Sequence, residues 1–139
     1  MTKEDKELLL KDLCARQPHK VKISVDDDNL FIPRLKYIDG LICHFYECAW
    51  TRYFDEIKPF LRSMSSMTEE ERTEYFLLTH RDNDRVDNII LVSEADAIID
   101  WLYAHYLDYR GLIRKGLALE APEGMYESNI ERSIRSESA

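Results

Sequence analysis

The hydrophobic period of this chain changes twice, and that change limits the possible folds more than any other feature. Leu9, Leu10, Leu13 and Cys14 recur at helical spacing among Lys3, Glu4, Lys6, Glu7 and Lys11. They predict an amphipathic helix that ends near Arg16, before Pro18, with Cys14 on its core face. Thr2 and Asp5 resemble a capping box at its start, with Asp in place of the usual Glu or Gln. From Val21 the period falls to two. Val21, Ile23 and Val25 alternate with Lys22 and Ser24, as in a half-buried strand. Asp26-Asp27-Asp28-Asn29 forms a turn, since these side chains bond their own backbone. Leu30 to Ile38 reads as a second strand, and Pro33 places part of it at an edge or a bulge. Asp39-Gly40 is a hairpin signal, followed by a third strand from Leu41 to Tyr46. A fourth strand falls between Thr51 and Leu61.

Beyond that point helical spacing returns. Thr68 and Glu71 form a second capping box, ahead of Glu74 to Leu78. A polar loop is expected from His80 to Asn88, then a short strand or packed linker at Ile89–Val92. Ser93 caps a helix whose stripe is Ala95, Ile98, Ile99, Leu102 and Tyr106. Gly111 and Gly116 bracket a last short turn or helix. The expected fold class is α+β: an N-terminal helix, a small antiparallel sheet of three to five strands, open or barrel-like, and then two or three helices. Residues 1–122 form one domain, and 123–139 are expected to be a flexible acidic tail. Ile98, Leu102 and Tyr106 are expected to face the sheet together with Ile23 and Phe45.

With 139 residues, 45% of them hydrophobic, the chain can bury one core. No apolar run approaches the roughly 20 residues that span a bilayer, and the N-terminal stretch lacks the features of a signal peptide. Three cysteines, Cys14, Cys43 and Cys48, cannot form a fully paired disulfide framework. A bacterial cytoplasmic setting is expected. The net charge of −8 is uneven. Residues 1–60 carry 10 basic and 11 acidic side chains, and residues 61–139 carry 9 and 16. Neither half has the basic excess of a generic nucleic-acid binder. An acidic half suits solubility or a basic protein surface.

Few motifs carry chemistry. The chain lacks a phosphate loop, a serine elbow, a zinc-protease pair and a dinucleotide fingerprint. Cys43 and His44 are adjacent in a strand, so they point to opposite faces and cannot share a metal ion with Cys48. The consecutive aspartates 26–28 lack the alternation of a calcium loop. No cofactor, metal ligand set or catalytic residue is therefore assigned. Trp101, His105 and Asp108 fall at i, i+4 and i+7, and with Arg110 could line a ligand pocket in which Asp108 orients His105 as a base. Tyr46, Trp50, Tyr53 and Phe54 crowd one hairpin. Alternation admits only about half of such residues to a core, so at least two should stand exposed as a partner-binding surface.

Three blocks stand out together: Leu13-Cys14-Ala15-Arg16, the stretch from Ile57 to Thr68, and Trp101 to His105 running through Asp108–Ile113 into Gly116–Pro122. They resemble a group of small uncharacterised proteins of gut Bacteroidales bacteria and their phages. That group reads Leu-Pro-Tyr-Gly where this chain has Gln17-Pro18-His19-Lys20. The resemblance implies a phage or prophage context and brings no activity with it. The expected function is a non-catalytic interaction module that binds a protein partner or a second copy of itself. The alternatives are a small enzyme or ligand-binding domain built on His105, Asp108 and Arg110, and an acidic mimic of nucleic acid.

Overall fold

The computed structural model describes residues 1–80 and 92–126. The expected His80–Asn88 loop, the Ile89–Val92 segment, the Ser93 cap side chain and the tail from 127 lie wholly or mostly outside those residues. Helix α1 spans Lys3–Arg16 and opens on the Thr2/Asp5 capping box, with Asp5 N–H donating to Thr2 Oγ1 at 3.0 Å. Asp5 serves because the box needs only a carboxylate within reach of the N-cap amide. A 3-10 turn, Gln17–His19, then ends on Lys20 in the left-handed region at φ 55°. A β-carbon in that backbone conformation is strained. Cys14 is exposed, which corrects its expected place in the core. Leu9, Asp12, Leu13 and Arg16 form the buried stripe, and one residue past Leu13 the helix has turned Cys14 outward.

The strands are β1 (Ile23–Ser24), β2 (Leu35–Asp39), β3 (Ile42–Phe45), β4 (Arg52–Tyr53), β5 (Lys58–Leu61) and β6 (Leu119–Glu120). They form two three-stranded sheets, β2-β3-β4 and β1-β5-β6, and β6 runs parallel to β5. A bridge between Lys22 and Arg34 joins the sheets, and no closed barrel forms among the described residues. The expected fourth strand is two, β4 and β5. A 3-10 turn at Phe54–Glu56 separates them and sends the chain from one sheet to the other. In the β2–β3 hairpin Asp39 pairs with Ile42, and Gly40 takes φ 61° at the first loop position, as Gly-first hairpin loops require.

Helices α2 (Glu69–Thr79) and α3 (Val92–Ala104) follow. The Thr68/Glu71 capping box forms as expected. The core cluster joins α1 (Leu9, Leu13) to both sheets (Ile23, Leu35, Cys43, Phe45, Leu61) and to Leu112, Leu117 and Ala118. Ile23 and Phe45 sit in that cluster as expected, and Tyr106 packs against it half-buried. Leu102 is buried outside the cluster, and Ile98 is only half-buried. The domain's packing continues past Pro122: the Tyr126 hydroxyl donates to Phe60 O at 2.7 Å and accepts from Lys22 N–H at 2.8 Å. No described helix is long and apolar enough to cross a membrane.

Candidate functional site

The β2–β3–β4 sheet presents an outer face whose composition follows from one bulge. Leu35 pairs with Phe45 and Tyr37 with His44, so Lys36 is an extra residue in the ladder. Without it Leu35 and Tyr37, two apart, would face the same side. The bulge keeps Leu35 in the core and turns Tyr37 outward, where its ring stacks on His44 at 4.2 Å. The same register puts Ile42 and Tyr53 opposite each other on this side, while Cys43 and Phe45 point inward. Tyr46 continues the alternation and bonds Arg34 O through its amide at 3.1 Å. Cations surround its ring: Lys20 and Arg34 at 5.3 Å and Lys36 at 5.7 Å from the centroid. Arg34 also holds the Glu47 carboxylate. Burial pushes the Glu47 carboxyl up, but the Arg34 amide and guanidinium outweigh it and hold the pKa below the ordinary value.

Of the four aromatics singled out in the sequence, Tyr46, Trp50 and Tyr53 are exposed at 44%, 38% and 54%, and Phe54 is buried at 7%. Trp50 lies at the rim, edge-on to Phe31 and Phe45 with the Arg52 guanidinium 4.3 Å from its centroid. Among the described residues eleven large hydrophobic side chains are exposed, and seven of them lie between Leu30 and Tyr53. That concentration separates this region from the scattered apolar exposure of any protein surface. Tyr37 was not legible as a site residue, because only the bulge turns it outward.

The second set, Trp101, His105, Asp108 and Arg110, does not converge. Helix α3 stops at Ala104 in a Schellman closure: Tyr106 N–H bonds Tyr103 O, Leu107 N–H bonds Leu102 O, and Tyr106 takes φ 60°. The helical spacing that would align His105 with Asp108 therefore ends before Asp108. Buried Asp108 instead accepts from the amides of Leu112 and Ile113 at 2.8 and 3.0 Å and fixes the loop after it. Arg110 donates to the Tyr103 hydroxyl at 2.6 Å and lies 3.4 Å from Asp12. His105 is oriented by Glu71, Nδ1 to Oε2 at 2.9 Å. Arg62 grips the same carboxylate with two bonds of 2.7 and 2.8 Å and, as the leading cause, holds its pKa at about 2. Ionised Glu71 places the proton of a neutral His105 on Nδ1. The Trp101 indole donates to Glu74 at 3.1 Å. These contacts tie α2, which buries no residue, to α3 and to the end of β5.

A buried charge cluster also went unread in the sequence. Asp12 and Arg16 are both 0% exposed and paired at 2.7 Å, and Arg16 donates to Leu107 O at 2.7 Å. Burial raises the Asp12 carboxyl against the opposing pull of Arg16. Closed to solvent, this cluster fastens α1 to the turn after α3. An open groove of about 730 Å³ beside it is lined by Pro18, Asp96, Ile99, Asp100, Trp101 and Tyr103, and does not include His105, Asp108 or Arg110. Burial also raises the Cys43 thiol to about 12, which keeps it protonated and unreactive at neutral pH. Comparison with protein-family models, with curated proteins and with solved structures finds no match.

Proposed function

We propose that this protein is a non-catalytic interaction module whose contact surface is the outer face of the β2–β3–β4 sheet. Tyr37, Tyr46 and Tyr53 stand on that face, and Trp50 sits at its rim. The carrying observation is that three of the four hairpin aromatics stand exposed in the stretch Leu30–Tyr53, which holds seven of the eleven large hydrophobic side chains exposed among the described residues. Large rings left in water are unfavourable, and Tyr and Trp anchor interfaces because they bury much area at little cost in conformational entropy. The likeness to proteins of Bacteroidales and their phages supports a phage or prophage setting, with a host or phage protein as the partner.

The reading is tested by Tyr46→Ala with Tyr53→Ala. Neither ring belongs to the buried core, so the melting temperature should move little. Capture of the partner, or the dimer fraction on sizing, should fall sharply. Unchanged capture and oligomeric state at unchanged stability would remove the surface from the reading.

A further inference from the structure

Building on that reading, we infer that the outer sheet face selects an acidic segment of its protein partner, with Lys20, Arg34 and Lys36 receiving carboxylates around the Tyr46 ring. The chain carries net −8, yet these three cations lie within 5.7 Å of one aromatic centroid. Like charges gathered on an exposed ring repel each other and are best relieved by an anion. One carboxylate already sits there: Glu47 takes Arg34 through both its guanidinium and its amide. Among the described residues this leaves Lys20 and Lys36 in excess. Asp39, opposite Ile42 at the hairpin end, is the acidic residue on the face itself. It sits at the turn, away from the Arg34 end of β2.

The exposed aliphatic groups and the chain's negative net charge favour protein over nucleic acid. Leu41, in the β2–β3 turn, is more than half exposed, and it offers aliphatic contact that neither phosphates nor stacked bases use. A nucleic acid needs a wider basic surface to offset the chain's negative field. An acidic peptide with interspersed apolar side chains uses both halves of the face. Its carboxylates meet the cations at the Tyr46 end and its apolar groups meet Ile42 and Tyr53.

The position of Lys20 supplies a test that misfolding cannot imitate. Its left-handed backbone at φ 55° suits Gly, so Lys20→Gly removes a cation while relieving strain. The probes are fluorescein-labelled peptides of about a dozen residues, one alternating Glu with Leu and one Gln with Leu, plus an oligo-dT of similar length. They are titrated by anisotropy at low and at physiological salt. The Glu probe should bind about tenfold more tightly than the Gln probe at low salt, and the gap should narrow as salt screens the cations. Lys20→Gly and Lys36→Glu should each weaken the Glu probe by about threefold or more and leave the Gln probe unchanged, with Lys20→Gly melting no lower than the parent. Equal affinity for the two peptides, no measurable binding of the Glu probe, or insensitivity to both substitutions overturns the inference. Tighter binding of oligo-dT overturns it in favour of single-stranded nucleic acid. If both peptides bind equally and both are lost in the Tyr46→Ala/Tyr53→Ala variant, charge selection falls while the interaction surface stands.

Discussion

Replacing Glu71 with Gln should loosen α2 selectively, and the size of the effect follows from the contacts of one carboxylate. Glu71 closes the capping box through the Thr68 amide at 2.9 Å, accepts two bonds from Arg62 and orients His105. The helix it begins buries no residue, and among the described residues its other ties to α3 include the Trp101–Glu74 bond and the Tyr75–Trp101 ring contact. A carboxyl held at about 2 instead of 4.5 corresponds to about 3 kcal/mol at neutral pH. Residual solvent contact of both partners reduces this to about 2 kcal/mol. Because the folded pKa is lowered, the contribution is complete above pH 4.5 and is lost as pH falls toward 2. Hydrogen–deuterium exchange over the α2 peptide, with urea midpoints at pH 7 and pH 3, reads both consequences. The variant should lose α2 protection at pH 7, and the stability gap to the parent should shrink by about half by pH 3. An α2 protected as before, or a gap independent of pH, would refute the assignment of Glu71 as the ionised anchor.

Three further substitutions test other parts of the fold. Asp12→Ala leaves Arg16 buried beside Arg110 without its carboxylate, and should cost about 3–5 kcal/mol in urea unfolding. Leu102→Ala, at a side chain 4% exposed, should cost about 2–5 kcal/mol, and an unchanged melting temperature would place Leu102 in water. Lys20→Gly should stabilise by about 1 kcal/mol, read as a higher melting temperature, because the left-handed conformation is costly for a residue with a β-carbon.

The parts of this fold that were legible in the sequence are those fixed by near neighbours. Both capping boxes, the helices they open and the turn at Gly40 depend on residues within four positions of each other. The β2–β3–β4 meander follows from period-two stretches broken by turn residues. What stayed hidden depends on single backbone irregularities or on distant partners. The Lys36 bulge reverses the side on which Tyr37 stands, and nothing local announces it. Tyr106 ends α3 in a left-handed conformation where Gly is the usual signal, so the helix looked long enough to align His105 with Asp108. Asp12 and Arg16 are an ordinary i, i+4 pair in sequence. Their burial depends on the Leu107 carbonyl, 91 residues from Arg16. His105 finds Glu71 rather than Asp108 because α2 packs beside α3, a tertiary contact that spans 34 residues.

The claim that the outer sheet face receives the partner is tested most directly by photo-crosslinking from a residue on it. A benzoylphenylalanine placed at Tyr53, 54% exposed on that face, is compared with one at Phe76, 57% exposed on α2. The two sites match in exposure and differ in surface, so generic stickiness would label both alike. Irradiation in cells that carry the natural partner should give a discrete adduct from position 53 and none from position 76. An adduct from position 76 with none from position 53 would contradict the account and move the interface to α2.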